Sequence, residues 1–344
     1  MSAVAAIHPQ RAIEGGRITI EGSGFPIGDD TYPPEVYIGD TRARVIYASS
    51  TRLLVVVPAG LDGGRVTLRV GDPPDGGEAR GAARSSTGGR PAWLDIAAPF
   101  ATGLHQVDNP VFDLDGNLYV TYSGTRGQQV PVSIFRVRPN GTRETFSSGI
   151  VNPTSMAIDP DGRLYVSSRF EGTVYRVAAD GSIESFATDL GVACGLAFAA
   201  DGALYVGDRS GTIFRVGRDG RATTFATLPA SVAAFHLAFG PDDGLYVTGP
   251  TLSSYDCVYR VGADGVVSTR YSGFGRPQGV AFDAAGSLHV VEALAGVSGL
   301  YRFPASGEPE LVLAGPALVG VAFDPLGGLV VTSNDTAYRL SPSA

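Results

Sequence analysis

The 344-residue chain contains no lysine, so all 26 basic side chains are arginine, and 34 acidic residues set against them leave a net charge of −8. The deficit holds on both sides of residue 97, with 10 Arg against 11 acids before it and 16 against 23 after it. Neither part has the basic excess that contact with phosphate backbones demands, so no nucleic-acid partner is expected. Cysteine occurs twice, at Cys194 and Cys257, too rarely for a disulfide framework and without the histidine spacing of a zinc site. No apolar run approaches the roughly 18 residues that span a bilayer, so no membrane insertion is expected. The opening MSAVAAIHPQRAIEGG has neither a basic start nor a long apolar centre. As written, the chain is expected to be cytoplasmic, and extracytoplasmic if a leader precedes it. Nucleophile-elbow, P-loop and dinucleotide fingerprints are all missing, which removes the commonest signatures of acyl, phosphoryl and hydride chemistry.

What the sequence has in abundance is repetition. Residues 150–231 hold two consecutive copies of one unit: an apolar run such as Met156–Ile158, Asp-Gly, Leu164-Tyr165-Val166, a variable loop, Val174-Tyr175-Arg176-Val177, Asp180-Gly181, and Ile183–Phe186. Runs this short, rich in Val, Ile, Tyr and Phe, suit strands, and Asp-Gly supplies the positive φ of a tight hairpin. Each unit therefore reads as a four-stranded antiparallel meander, with strands a, b, c and d. Strand b recurs at Tyr119, Tyr165, Tyr205, Tyr246, His289 and Val330, and strand c carries Arg in third place at Arg136, Arg176, Arg215, Arg260, Arg302 and Arg339. Six such units without intervening helices predict an all-β, six-bladed propeller over 98–344. The last unit stops after strand c, at Leu340-Ser341-Pro342, and the stretch 98–104 matches a d strand, so it is expected to close the ring. Closure removes the exposed sheet edges of an open array.

Residues 1–97 hold six or seven further short strands with Gly/Pro turns, the pattern of a β-sandwich. A Gly/Pro/Ser-rich stretch at 72–90 is expected to be a mobile loop, and Trp93, the single tryptophan, to sit in the sandwich core. The Ile-x-Pro opening, Gly15-Gly16-Arg17-Ile18-Thr19-Ile20, Gly22-Ser23-Gly24-Phe25, Val36-Tyr37-Ile38-Gly39-Asp40 and the exit Val57-Pro58 resemble the IPT/TIG family of immunoglobulin-like domains. That resemblance implies a spacer or interaction module. The direct passage from Ala97 to Pro99 predicts a fixed angle between the two parts.

The Gly-Val-Ala-Phe-Asp-x-x-Gly-x-Leu-x-Val pattern at 279–290, with the c-strand arginine followed by Asp-Gly, resembles NHL repeats and SMP-30/gluconolactonase-like propellers. Such rings host lactonases, lyases and inert binding modules alike. In them the b–c and d–a connections surround the channel mouth, and here the long b–c loops at 121–133, 248–257 and 291–299 mark that face as the elaborated one. At it stand Asp108, His236 and Glu292, read as the candidate catalytic groups, with Asp108 and Glu292 also the candidate ligands of Ca2+ or another divalent cation. His105, Asn109, Tyr122, Arg169, Asp208, Arg209 and Gln278 are the candidate ligand-binding residues, although Asp208 and Glu292 also occupy a place where NHL repeats use acids for turn bonding. The lactonase resemblance implies a metal set whose positions fall on Asp108, Cys194, Phe235 and Gln278, and an aromatic and a neutral amide cannot supply its charge. His236 and Glu292 keep a streptogramin-lyase-like alternative open. The leading expectation is a binding module that presents the propeller's loop-rich face to a protein, glycan or small ligand. The alternative is a divalent-metal-dependent hydrolase or lyase at the channel mouth. Phe235, Val319 and Tyr122 are expected to plug that mouth in the binding case.

Overall fold

A computed structural model describes residues 2–27, 33–71, 92–293, 298–304 and 307–340, so the loop expected at 72–90 and part of that at 291–299 lie outside the described residues. All regular structure among them is β. The N-terminal strands are β1 (Ala3–His8), β2 (Arg11–Ala12), β3 (Arg17–Ser23), β4 (Glu35–Ile38), β5 (Thr41–Ala48), β6 (Arg52–Val56), β7 (Gly64–Gly71) and β8 (Ala92–Ile96). Their alternation drives one face inward, and Ile18, Ile20, Val36, Ile38, Leu53, Val55 and Leu94 share a core without solvent exposure. Trp93 is not in it: β8 points Leu94 and Ile96 inward, which leaves Trp93 on the other face, 44% exposed.

After β9 (Ala98–Thr102) the repeats follow in order. The first comprises β10 (Val111–Phe112), β11 (Leu118–Thr121), β12 (Ile134–Val137) and β13 (Arg143–Ser147). The second comprises β14 (Pro153–Ile158), β15 (Leu164–Ser168), β16 (Thr173–Val177) and β17 (Ile183–Ala187). The third holds β18 (Ala193–Phe198), β19 (Leu204–Asp208), β20 (Thr212–Val216) and β21 (Ala222–Thr227), and the fourth β22 (His236–Phe239), β23 (Leu245–Thr248), β24 (Asp256–Val261) and β25 (Val267–Phe274). Then come β26 (Pro277–Phe282), β27 (Leu288–Glu292), β28 (Gly299–Arg302) and β29 (Glu310–Ala314), and last β30 (Leu318–Phe323), β31 (Leu329–Ser333) and β32 (Thr336–Arg339).

The innermost strands stand side by side in chain order, and β10 touches both β14 and β30, so the arrangement is a propeller-like ring. β9 takes the fourth place beside β32, pairing Ala101 with Ala337 and Pro99 with Tyr338. The structure corrects the blade count: five self-contained four-stranded sheets are present, rather than six. The meander β26–β29 is instead one end of a twelve-stranded sheet, because β2 lies parallel to both β8 and β29 and joins them through Ala12. An outermost strand with free N–H and C=O groups is a ready template, and β29 is the one that the N-terminal strands have used.

The repeated residues acquire their reasons here. Each c-strand arginine meets an acid: Arg136 with Glu144, Arg176 with Glu184, Arg215 with Asp201, Arg260 with Asp242, Arg302 with Glu310 and Arg339 with Asp324. The b-strand tyrosines stack edge-on against phenylalanines, as Tyr165 does on Phe186 and Phe198 and Tyr205 on Phe225 and Phe239, and His289 does the same on Phe323.

Candidate functional site

At the loop-rich end of the ring axis lies a cavity of about 330 Å³. Gln106, Cys194, Ala234, Gln278, Val319 and Asn334 are among the residues that line it, and they come from the first residues of a strands and from the d–a and b–c connections around the ring. Arg169 and Arg209, which follow strands β15 and β19, complete the lining with their charges. Among the described residues no carboxylate lines this cavity.

Beneath it the structure brings together Asp108, His236 and Gln278, each predicted from the sequence. His236 is fully buried, with Nδ1 against Asp108 Oδ1 and Nε2 3.3 Å from Gln278 Oε1. Asp108 Oδ1 also accepts the Asn109 N–H at 2.7 Å. Gln278 is anchored from the other side by the Thr248 hydroxyl, which donates to its carbonyl. Gln106, missed by the sequence reading, fixes the segment: its side-chain amide donates to the Asp108 carbonyl at 2.7 Å, and its Oε1 accepts from Thr121 N–H at 2.7 Å. A buried glutamine before a turn carries no sequence signal beyond its proximity to Asp108.

Other candidates serve the scaffold. Asn109 stitches the first unit to two others, donating to the Val280 carbonyl at 2.7 Å and accepting from Val321 N–H at 3.0 Å. Asp208 accepts Val192 N–H at 2.7 Å and the Ser210 hydroxyl. Glu292 accepts the N–H groups of Gly275 at 2.8 Å and Arg276 at 2.9 Å. These two acids hold turns, and Glu292 does not join Asp108 and His236 in a catalytic group. His105 and Tyr122 stack edge-on, 6.0 Å between centroids, beside a separate hollow of about 460 Å³. Burial, and then Arg169, hold the His105 imidazole below its ordinary pKa, so it is neutral at pH 7. Of the expected plug only Val319 reaches the axial cavity. Phe235 is buried, and a Cβ placed on Gly249 would lie 2.7 Å from its ring.

A divalent cation does not fit this donor set. Hard cations want several free, charged oxygens. Here Oδ1 of Asp108 and both oxygens of Glu292 accept backbone N–H groups, His236 is closed between two partners, and Arg169 and Arg209 face any incoming cation. Among the described residues no three His, Cys, Asp or Glu side chains are gathered as a ligand set. Cys194 and Cys257 are both free thiols, and burial, reinforced by Asp108, pushes that of Cys194 up to about 12. A thiol so high in pKa is no nucleophile at neutral pH. A larger groove, of about 980 Å³, lies on the opposite face between the first two repeats, where Arg136 and Arg176 are already neutralised by Glu144 and Glu184.

Residues 3–83 match the IPT/TIG domain family. No curated protein sequence matches. Among solved structures, the whole chain superposes on an auxiliary nutrient binding protein from Bacteroides ovatus, with a TM-score of 0.56, 15% identity and 98% of that chain covered. A catalytically inactive virginiamycin B lyase from Staphylococcus aureus, solved with quinupristin, is similar at TM-score 0.53 and 14% identity, over 95% of this chain and 100% of that one. A protein provisionally described as a gluconolactonase matches at TM-score 0.58 and 18% identity, over 71% of this chain and 91% of that one. At such identities the likeness is one of fold: residues 3–83 match the IPT/TIG family, and the strands from β9 onward form a β-propeller-like ring.

Proposed function

We propose that the protein is a non-catalytic binding module in which the loop-rich channel mouth takes a small ligand and the N-terminal strands, read as an immunoglobulin-like sandwich, orient the ring. One observation carries this reading: the groups that could do chemistry at the axis are spent on one another or on turns, whereas the cavity above them keeps donors without partners. Arg169 and Arg209 have no ion-pair or side-chain hydrogen-bond partner among the described residues, while Asp108, His236, Asp208 and Glu292 are all engaged. Unspent donors around a concavity are what a ligand needs for orientation. The fold likeness to a nutrient binding protein agrees with a binding role, and the donor set speaks against the metal-assisted hydrolase or lyase alternative.

The test is a thermal-shift screen of the intact protein against neutral sugars, amino acids and organic acids, repeated on Ala233→Trp, which places an indole at the cavity wall. The reading expects at least one compound to raise the melting midpoint and Ala233→Trp to abolish the rise. A panel without effect, or shifts unchanged in the filled variant, would end it.

A further inference from the structure

The arginines of the axial face depart from the rule that governs the rest of the ring. All six c-strand arginines are clasped by an acid. Arg126, Arg169 and Arg209, which belong to the b–c connections of three consecutive repeats, form no ion pair and no side-chain hydrogen bond among the described residues. Arg169 and Arg209 both line the axial cavity, and both act electrostatically on Cys194 at its wall. The rest of the described lining is amides, small apolar groups and the Cys194 thiol. Gln278 also lines the cavity, with its side-chain amide 3.3 Å from His236 Nε2, a contact whose donor depends on the imidazole tautomer.

On the reading that this mouth is a binding site, we propose that its ligand is a small organic oxyanion, a carboxylate or phosphate ester on a body of about monosaccharide size, clamped by Arg169 and Arg209 with Arg126 adding to the field. Two planar guanidinium forks suit the paired oxygens of such a head group, which they grip bidentately. A cavity of about 330 Å³ is at the small end of ligand sites, so it admits one sugar-sized body and no polymer. The site carries an unbalanced positive charge in a molecule of net charge −8, so its attraction is local to this face. Burial, followed by the neighbouring Arg209 and Arg126, depresses the Arg169 guanidinium below its ordinary pKa, as expected of a cation held for a partner that is not part of the chain.

Isothermal titration of the full chain with glucuronate, glucose 6-phosphate and glucose tests this, because the three share one ring and differ in charge. A charged probe binds at least tenfold more tightly than glucose, its affinity falls as NaCl rises from about 50 to about 500 mM, and whichever charged probe binds better separates carboxylate from phosphate recognition. Arg169→Met and Arg209→Met each weaken binding at least tenfold while the unliganded variants melt no lower than the parent, and Arg221→Met on the plain face changes nothing. Glucose binding as tightly as the charged sugars overturns the oxyanion assignment but leaves the binding module standing. Charged probes that do not bind, or that bind the methionine variants equally well, overturn the clamp.

Discussion

At the residue scale, the sequence singled out Asp108, His236 and Gln278 because they sit at the axial ends of a strands, and the structure joins them in one hydrogen-bonded line. The sequence could not show that His236 is fully buried in that line, since its two side-chain partners, Asp108 and Gln278, arrive from the first and fifth repeats. Nor could it separate Glu292 from that group. An acid at the end of a b strand looks the same whether it faces a channel or receives two backbone N–H groups. His289 offers a sharper residue-scale test. It occupies the b-strand place that tyrosine fills in four other repeats, and burial lowers its pKa although Nδ1 donates to the Ser287 carbonyl at 3.1 Å. A histidine whose folded pKa lies below its unfolded value of about 6.5 binds fewer protons when folded. Its penalty is therefore absent above pH 6.5 or so and grows as pH falls from there toward the folded pKa. His289→Tyr restores the repeat's own residue and is expected to flatten the fall of melting midpoint between about pH 6.5 and 5. An unchanged slope in a pH series of melts would show that another group carries the acid sensitivity.

At the scale of the element, the Asp-Gly turns were legible as hairpins, but two kinds of glycine were hidden in one motif. Gly162, in an a–b turn, has φ +82° and open space where a Cβ would go. Gly181, in a c–d turn, has nearly the same φ, +83°, yet a Cβ there would lie 2.0 Å from the Phe146 carbonyl oxygen of the preceding repeat. The c–d turn is thus also a joint between neighbours, reinforced by the Ser147 hydroxyl, which donates to the Gly181 carbonyl at 2.8 Å. Only the ring geometry, absent from any single repeat, reveals it. Gly162→Ala should cost about 1 kcal/mol, the penalty of a side chain in the left-handed region. Gly181→Ala should cost about 2–4 kcal/mol, since backbone must also move apart. Equal losses in denaturant melts of the two variants would refute the joint.

For the whole molecule, the sequence predicts a fixed angle from the short junction at 97–99, but a second tie between the two parts was invisible because it runs through a two-residue strand. β2 pairs with β8 on one side and β29 on the other, and the adjoining Ile13 N–H donates to the Ala314 carbonyl at 2.9 Å. Ile13 itself is 1% exposed and packs among Val291, Leu300, Leu313 and Leu318, so an N-terminal side chain completes the hydrophobic core of a ring element. Ala314 from the ring lies in the core of the N-terminal strands in return. Two bodies that exchange core residues cannot open separately without exposing both cores, which makes their unfolding one event. The native protein should therefore give a single calorimetric transition whose van't Hoff and calorimetric enthalpies agree. Ile13→Asp, which forces an unpaired charge into that core, should split the transition in two and lower the first midpoint, whereas Ile13→Val, a loss of one methyl group worth about 1 kcal/mol, should keep the transition single. Two transitions in the native protein, or one intact transition in Ile13→Asp, would mean that the composite sheet is a contact rather than a coupling, and the N-terminal strands would then be free to turn relative to the mouth they are held to orient.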